Sequence, residues 1–352
     1  MHFIFVNLRT RVHKGIGMAL TRKDIARVAG VSPSTVSRAL SGRTDLLPES
    51  TISHVCDVAR KLGYKPNVLA RRLASNKSFQ IAYAVPLSVD VRGTFQVSYF
   101  SNILDSVVAE AFKKGYNVTI VPLEKDVRSN IEKLHELAAT KAVDGLVIAG
   151  LKAGDGLPEA LYNEDIPFVL VGSHSSDDRF PSVNCSPGTA IAKLLACAEG
   201  ADLYFVHGDL RYDDAVAQLE AVKRAVKKLK FCSFKVIEGN YSRKSGYATA
   251  LSIVPDAAGK NAVVFLANDR MAGGFYRYCW ENNVKIPDDI RVAGSDDDDA
   301  AGVLFPALTT IRQGRSEMGA AAVSMLTDII SGRAPENCSV EIESQFIRRA
   351  SL

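Results

Sequence analysis

The sequence predicts an α/β protein, with a small all-helical head of the helix-turn-helix type followed by a two-lobed core of doubly wound parallel sheets. Three observations lead to this prediction. The 352 residues exceed one ordinary domain. Residues 21–62 show helical periodicity interrupted by capping signals. Beyond residue 79, short apolar runs alternate with amphipathic stretches, the pattern of parallel sheets covered by helices on both faces.

The composition indicates a soluble globular protein, since 47% of the residues are hydrophobic and 23% are charged. The sequence has no stretch of about eighteen apolar residues that would span a bilayer. At the start of the chain, the apolar patch at 3–8 precedes the basic residues, an order that does not suit a secretory signal. The six cysteines are scattered without a CxxC pair, as in reduced cytosolic proteins. We therefore expect a cytoplasmic protein with no membrane partner.

Charge is distributed unevenly along the chain. Residues 18–78 contain eleven Lys and Arg against four Asp and Glu, whereas residues 79–352 carry a net charge of −6. A basic head on an acidic body indicates a polyanionic partner for the head. A basic surface that is only solvated would give the same count.

The head begins with two helices whose ends are marked by capping residues. Thr21 is placed as an N-cap with Asp24 three residues later, close to a capping box, and Gly30 is a suitable left-handed C-terminal position. Ser32 is a second N-cap, followed by Pro33 at the first helical position, where its missing N–H costs nothing. The sequence therefore predicts two short helices joined by a tight turn.

A third helix is expected at about 49–62, where apolar residues recur at helical spacing. A tight turn containing glycine lets the second helix of such a unit enter the major groove of DNA. A three-helix bundle with no role in DNA binding fits the same pattern. The segment 67–74 that follows is too short to hold a helix alone in water.

Residues 21–78 resemble the headpiece and hinge of the lactose-repressor (LacI/GalR) family. The family's head pattern is T-x-x-D-[IV]-A-x-x-A-G-V-S-x-x-T-V-S-R, and its hinge pattern is Y-x-P-N-x-x-A-x-x-L. Head positions supplied here are Thr21, Asp24, Ile25, Ala26, Ala29, Gly30, Val31, Ser32, Thr35, Val36, Ser37 and Arg38. Hinge positions supplied are Tyr64, Pro66, Asn67, Ala70 and Leu73.

This resemblance implies a repressor that binds a pseudo-palindromic operator in double-stranded DNA as a homodimer or a higher oligomer. The DNA-binding residues that it implies are Thr21, Ser32, Pro33, Ser34, Thr35, Ser37 and Arg38 in the head, with Asn67, Ala70, Arg71 and Leu73 in the hinge. It also indicates Met18 as the natural start, which makes residues 1–17 an upstream extension. The hinge is expected to fold on operator DNA, with Leu73 acting as an apolar wedge in the minor groove.

The domain organisation is expected to follow the family. The head covers 18–66 and the hinge and linker cover 67–78. The periplasmic-binding-protein-like core covers 79–352 and is suggested by stretches such as EGNYSRKSGY and FLANDRMAGG. Its first lobe is expected at 79–175 plus 306–335, and its second at 176–305 plus 336–352.

Eight apolar runs in the core predict strands of parallel sheets. They are IAYAVPL (81–87), VTIVPL (118–123), GLVIAG (145–150), PFVLVG (167–172), LYFVHG (203–208), KVIEG (235–239), AVVFLAN (262–268) and IRVAGS (290–295). Because ligands of such sheets bind outside the carboxyl ends of the strands, residues just after these runs are expected to line a cleft.

Tyr241, Asn268 and Asp296 follow strand ends and supply an aromatic face, an amide and a carboxylate for a polar ligand. The family resemblance implies that these three positions contact the effector. It adds Tyr99 and Phe100, which match an aromatic pair of the purine-repressor branch. The loop 209–214 follows another strand and is a further candidate.

Other roles for these residues fit the sequence as well. Tyr241 and Phe100 are also suited to packing in the core. The run Asp296–Asp299 also fits a solvated acidic loop end. As a metal site it lacks ligand spacing, because adjacent carboxylates point in different directions. We expect no metal and no cofactor.

Three departures from the family concern the ligand. Gln218 stands where an Arg often grips sugar hydroxyls or a carboxylate, Gly172 replaces a common acidic residue, and Asn184–Cys185 replaces a frequent Asp-Asn. We expect Gln218 to contact the effector in place of the Arg. The effector is expected to be a small polar metabolite, a sugar or sugar-like molecule, although these departures argue against a simple monosaccharide.

Two rival functions share the predicted core. An enzyme is disfavoured because the sequence has no GxGxxG, Walker, GxSxG or HExxH motif and its six histidines are isolated. A periplasmic sugar-binding protein is disfavoured by the basic head and by the unsuitable first residues. We therefore expect a DNA-binding regulator and not an enzyme.

Overall fold

The computed structural model describes residues 20–40, 47–64, 72, 75–87, 97–173, 179–335 and 337–352. The chain divides into two compact units, residues 1–77 and residues 78–352. Within the described residues, no helix is both long and apolar enough to cross a membrane.

The head consists of three described helices, α1 (Arg22–Ala29), α2 (Pro33–Leu40) and α3 (Glu49–Leu62). Small and branched apolar side chains of all three helices form one core, with Ile25, Val36 and Val55 fully buried at its centre. The third helix has the predicted bounds.

The predicted caps of the head are confirmed. The Thr21 N–H donates to Asp24 Oδ2 at 3.0 Å, and the Asp24 N–H donates to Thr21 Oγ1 at 3.4 Å, which completes a capping box. Gly30 ends α1 at φ 67°, a left-handed conformation that a residue with a Cβ adopts at a cost. Ser32 Oγ accepts the Thr35 N–H at 3.0 Å and so caps α2. The order of helix, tight turn and helix therefore follows from local sequence.

Lobe 1 of the core is built on a six-stranded parallel sheet with the order β11-β5-β4-β3-β1-β2. Its strands are β1 (Gln80–Pro86), β2 (Asn117–Leu123), β3 (Gly145–Ala149), β4 (Phe168–Val171), β5 (Ser182–Ser186) and β11 (Ser339–Glu343). Apolar clusters lie on both faces of this sheet, so the central strands are buried on each side. The helices that contribute to these clusters are α4 (Ser98–Lys113), α5 (Val127–Ala139), α6 (Leu157–Asn163) and α12 (Arg315–Ile330).

Lobe 2 is built on a four-stranded parallel sheet with the order β7-β6-β8-β9. Its strands are β6 (Asp202–His207), β7 (Ser233–Glu238), β8 (Ala262–Leu266) and β9 (Arg291–Ala293). Its helices are α7 (Gly188–Ala196), α8 (Asp213–Val226), α9 (Arg243–Ala257), α10 (Asp269–Glu281) and the short α11 (Asp299–Val303). An antiparallel pair, β10 (Thr310–Arg312) and β12 (Gln345–Ile347), adjoins β9 through a bridge between Ala293 and Thr309.

The predicted fold class, a helical head with doubly wound parallel sheets, is confirmed, but the lobes differ from the expected ranges at three places. β5 pairs with β4, and β11 pairs with β5, so residues 182–186 and 339–343 belong to the sheet of lobe 1 and not to lobe 2. Residues 310–312 lie against lobe 2, although they were expected in lobe 1. These strands have no continuous apolar run, since the burial of β11 alternates and β5 reads SVNCS.

Candidate functional site

The exposed face of α2 carries the residues predicted to bind DNA. Ser32, Pro33, Ser34 and Arg38 are exposed, whereas Val36 turns into the head core. The helix therefore presents its first turn and one cation to solvent, as a recognition helix requires.

Hydroxyl groups at the start of α2 are connected to one another. Ser32 Oγ lies 2.7 Å from Ser34 Oγ and 2.9 Å from Thr35 Oγ1. Ser37 Oγ accepts a hydrogen bond from Arg22 Nη1 at 3.2 Å, which brings a cation of α1 beside α2. Arg22 was not among the predicted residues, because only the tertiary packing of the two helices brings it there. Thr21, which was predicted, is exposed at the start of α1.

The hinge residues lie outside the described part of the chain. Asn67, Ala70, Arg71 and Leu73 therefore remain predictions.

The core contains a cleft of about 710 Å³ at the carboxyl ends of the strands of both sheets. Residues following β1, β3, β4, β6, β7, β8 and β9 line it, as the rule for parallel sheets predicts. The six residues predicted to contact an effector all lie on its wall: Tyr99, Phe100, Gln218, Tyr241, Asn268 and Asp296. Loop 209–214, the further candidate, contributes to the wall as well.

Glycines make room for the three aromatic side chains of the cleft. A Cβ at Gly172 would overlap Tyr99 Oη, a Cβ at Gly208 would overlap the Tyr241 ring, and a Cβ at Gly150 would lie 2.7 Å from Phe100 Cε1. The departure at Gly172 therefore has a physical reason in this chain. The Tyr99 hydroxyl occupies the space of the missing side chain.

Asn268 and Gln218 hold the wall of the cleft through bonds to the backbone. Asn268 Oδ1 accepts the Met271 N–H at 2.9 Å and caps α10, and its Nδ2 donates to the Tyr241 carbonyl at 3.2 Å. Tyr241 has φ 65°, a conformation that this bond helps to keep. Gln218 Nε2 donates to the Ala267 carbonyl at 3.3 Å. The side-chain amides of Asn268 and Gln218 thus hold the backbone at Tyr241 and Ala267 in place.

Asp296 is bound by an arginine that the sequence did not indicate. Arg315, the first residue of α12, forms ion pairs with Asp296 and with Asp298, the latter at 3.2 Å. Its side chain is 4% exposed, and its guanidinium lies 5.1 Å from the centre of the Tyr99 ring. Gln313 Nε2 donates to Asp296 Oδ1 at 3.1 Å. Asp296 is therefore held by two side chains, of which Arg315 reaches it from lobe 1.

Asp297, the next residue of the acidic run, is also paired. It lies 2.7 Å from Arg312 and 2.6 Å from Arg349. The described residues contain no group of His, Cys, Asp and Glu suited to a metal ion. The ion pairs of Asp296, Asp297 and Asp298 tie this loop to both lobes, whereas Asp299 is exposed.

Burial changes the acidity of the carboxyl groups behind the cleft. Burial raises the pKa of Asp296 to about 7, against the opposing effect of Arg315. The pKa of Asp269 lies well above its ordinary value because of burial and the nearby Asp296. Asp269 accepts hydrogen bonds from Thr310 Oγ1 at 2.6 Å and from the Asp298 N–H at 2.9 Å.

Asp214, in the first turn of α8, has no cationic partner among the described residues. Burial raises its pKa to about 6, and Arg315 acts on it only from a distance. On the same loop, Asp209 forms an ion pair with Arg211, whose Nε lies 2.9 Å from Asp209 Oδ1. Among the described residues, Asp214 is therefore the carboxylate of the cleft wall that has no cationic partner.

The lobes contact each other across the cleft. The Ala153 N–H of lobe 1 donates to the Arg211 carbonyl of lobe 2 at 2.8 Å. Ser98 Oγ, at the start of α4, donates to Asp298 Oδ2 at 2.6 Å. Together with Arg315, these contacts join lobe 1 to the loops that carry Asp214 and Asp296.

Models of two protein families match the chain. The lacI family of bacterial regulatory proteins matches residues 21–67, and the periplasmic binding protein-like domain matches residues 204–352. The HTH-type transcriptional repressor PurR of Histophilus somni (strain 2336) is 28% identical over 341 residues, which cover 94% of this chain and 98% of that protein. Catabolite control protein A of Streptococcus mutans is 29% identical over 317 residues, covering 89% and 92%.

Solved structures show the same fold. The Lac repressor dimer bound to operator and the anti-inducer ONPF has a TM-score of 0.72 at 24% identity, covering 95% of this chain and 99% of that one. The transcriptional regulator CelR in complex with cellobiose has a TM-score of 0.69 at 23% identity, covering 95% and 100%.

Proposed function

The chain belongs to the lacI family of bacterial transcriptional repressors, and from that premise we propose that it binds a pseudo-palindromic operator as a homodimer, under the control of a small polar molecule in the core cleft. It is not an enzyme, since its relatives are repressors. The observation that carries the proposal is the exposed face of α2, capped by Ser32 and bearing Arg38. The proposed place of action is the cytoplasm, where the operator lies.

Direct reading of bases is proposed for the start of α2. An arginine donates two hydrogen bonds to a guanine edge, whereas Pro33 offers only an apolar contact, for example to a thymine methyl group. Ser34 and Thr35 supply hydroxyl groups for a base or a phosphate, and the cation of Arg22 lies beside them. This arrangement supports one half-site per head.

Dimerisation is supported by large apolar side chains that lobe 2 leaves exposed. Trp280 is 81% exposed and Phe305 is 97% exposed, and Leu251 lies on α9, which packs against the helix of Trp280. Contiguous exposed apolar surface is typical of interaction sites, and these side chains are the ones that we propose a partner subunit covers. The Lac repressor structure, which shares the fold, is described as a dimer on operator.

An effector of metabolite size is supported by the cleft. Its volume of about 710 Å³ lies within the range of small-molecule sites, roughly 300–1,000 Å³. Three aromatic side chains and a set of polar groups line it, which suits a ring or a chain with polar substituents. The CelR structure contains cellobiose, which is consistent with a polar ligand in this type of core.

Binding-site selection from random DNA duplexes tests the reading of bases. We expect Arg38→Ala to weaken binding by about 1–3 kcal/mol and to relax the preference at one base position per half-site. Arg60→Ala is the matched control, because Arg60 is exposed on α3, away from α2 in sequence, and pairs with Asp57 at 3.1 Å. If the Arg38→Ala protein selects the same bases as the unmodified chain, α2 does not read DNA through this residue.

A further inference from the structure

We propose that the effector of this chain carries a protonated amine, held by Asp214 beside Tyr99 and Tyr241, and that Asp296 is not the carboxylate that binds it. This inference rests on the proposed function, because it concerns the same cleft. It assigns the ligand a chemical class, a small molecule with an ammonium group, and it names the residue that selects it.

The charge of Asp296 is already paired with a cation. Arg315 and Gln313 both bind its carboxylate, and Arg315 also binds Asp298. Removing Asp296 from this arrangement would leave a buried guanidinium with one carboxylate fewer. Asp296 therefore joins the lobes.

Asp214, in contrast to Asp296, has no cationic partner among the described residues. Its only described hydrogen bond is to the backbone, where Oδ1 accepts the Ala215 N–H at 2.8 Å. The neighbouring cation, Arg211, is held by Asp209 through both carboxylate oxygens. A half-buried carboxylate without a cationic partner is partly desolvated at a cost, and a ligand that brings an opposite charge lowers that cost.

Asp214 is the carboxylate of the cleft wall that no described cation binds. Asp296, on the same wall, pairs with Arg315. The cations Lys244 and Arg270 also line the cleft, but no described ion pair joins either of them to Asp214. A cationic group of a ligand can therefore pair with Asp214.

Two aromatic side chains lie where the cation would bind. Asp214, Tyr99 and Tyr241 line the same cleft, and the pKa values of both tyrosine hydroxyl groups are raised by burial and, to a smaller extent, by this carboxylate. Tyrosine rings attract cations within about 6 Å of the ring centre. Gly172 and Gly208 give the two rings their space, so the chain is built to keep them in the cleft.

A neutral polyol is the rival ligand, because two neighbouring hydroxyl groups also donate to a carboxylate. The polyol would leave the negative charge of Asp214 in place inside the closed cleft. An ammonium group supplies both donors and charge, and charge-assisted hydrogen bonds are about twice as strong as neutral ones.

Matched pairs of small probes test the inference on the full chain. Each pair has one ammonium member and one hydroxyl member of the same shape: trans-4-aminocyclohexanol with trans-1,4-cyclohexanediol, and glucosamine with glucose. Affinities are measured by ligand-observed NMR at about pH 7, where Asp214, with a pKa of about 6, is mostly ionised. We expect the ammonium member of at least one pair to bind about tenfold more tightly than its partner.

Variants assign this preference to one residue. Asp214→Asn keeps the size of the side chain, and with it the ratio of the two affinities in a pair should fall to about one. Asp209→Asn, the same change on the same loop, should keep the ratio of the unmodified chain. Lowering the pH of the unmodified chain below about 6 should also remove the preference, which needs no variant. Equal responses within every pair, including no response at all, would overturn the inference, and so would a preference that survives in Asp214→Asn.

These outcomes are separate from those of the proposed function. If cyclohexanediol and glucose bind as tightly as the amines while operator selection is intact, the proposal of an amine effector is wrong. The proposal of an operator-binding repressor would still stand. Failure of the unmodified chain to select any operator would refute the function, whatever the probes do.

Discussion

Asp214 and Asp296 are two carboxylates of one cleft, and their surroundings give them different tasks. Burial raises the pKa of both, but Asp296 has an arginine at bonding distance, whereas Asp214 has none among the residues that the structure describes. The sequence places both residues after strand ends, and on that basis Asp296 was predicted to bind the ligand. Only the tertiary structure shows that Arg315, nineteen residues further along the chain, already pairs with it. No local pattern marks that pairing.

The free energy of unfolding should depend on pH through Asp214. Its folded-state pKa is about 6 against an ordinary 3.8, so the folded state binds this proton more tightly than the unfolded state. This group therefore lowers stability as the pH rises from about 4 to about 6, and the loss is complete above that range. Asp214→Asn should be more stable than the unmodified chain by about 1–2 kcal/mol at pH 7.5, with no gain at pH 4.

Thermal denaturation over this pH range measures the difference. Asp209→Asn is the control, because its carboxylate is held by Arg211 and has a lowered pKa, so its loss should not stabilise the fold. A gain for Asp214→Asn that is the same at pH 4 and pH 7.5 would contradict an unpaired carboxylate.

Gly172 should be intolerant of a side chain because of Tyr99. Its φ of 66° disfavours a Cβ, and that Cβ would overlap Tyr99 Oη. We expect Gly172→Ala to lower the free energy of unfolding by about 1–3 kcal/mol. Adding Tyr99→Phe removes the hydroxyl and should recover part of this loss in a double-mutant cycle. Strictly additive effects of the two changes would show that the two groups are not in contact.

At the scale of elements, the sequence was most informative where structure is decided locally. Capping at Thr21, Gly30 and Ser32 was predicted, because each depends on residues within one turn. The strands of the eight apolar runs could be predicted for the same reason, because each run is itself local; the central strands are buried on both faces, whereas β2 and β7 are partly exposed. β5 and β11 were not predicted, because the residues of β5 are largely polar and those of β11 alternate between exposed and half-buried. Only their pairing with neighbouring strands identifies them as strands.

The capping box at Thr21 should stabilise α1 within the full chain. Thr21→Ala removes the side-chain acceptor for the Asp24 N–H and should cost about 1 kcal/mol, whereas Thr21→Ser keeps the acceptor. Hydrogen exchange of the amides of α1 measures the effect, with α3 as the internal reference. Unchanged protection of α1 in Thr21→Ala would show that the helix does not depend on this cap.

At the scale of the whole molecule, two lobes are held together by charged groups that also border a ligand cleft. Arg315 and Ser98 of lobe 1 reach the acidic loop of lobe 2, next to the wall that carries Asp214. We expect a ligand that changes the charge of this wall to act on the contacts between the lobes. An allosteric repressor needs such a link, and a coupling of about 1–3 kcal/mol is typical of ligand control.

We propose that the full chain is a dimeric operator-binding repressor, and the symmetry of its DNA site decides whether this is right. Duplexes selected from a random pool are sequenced, and the mass of the complex with the tightest-binding duplex is measured by analytical ultracentrifugation. We expect two inverted half-sites bound by two chains, because two heads related by a two-fold axis read the same sequence on opposite strands. A site without inverted symmetry, or one chain for each duplex, would contradict it.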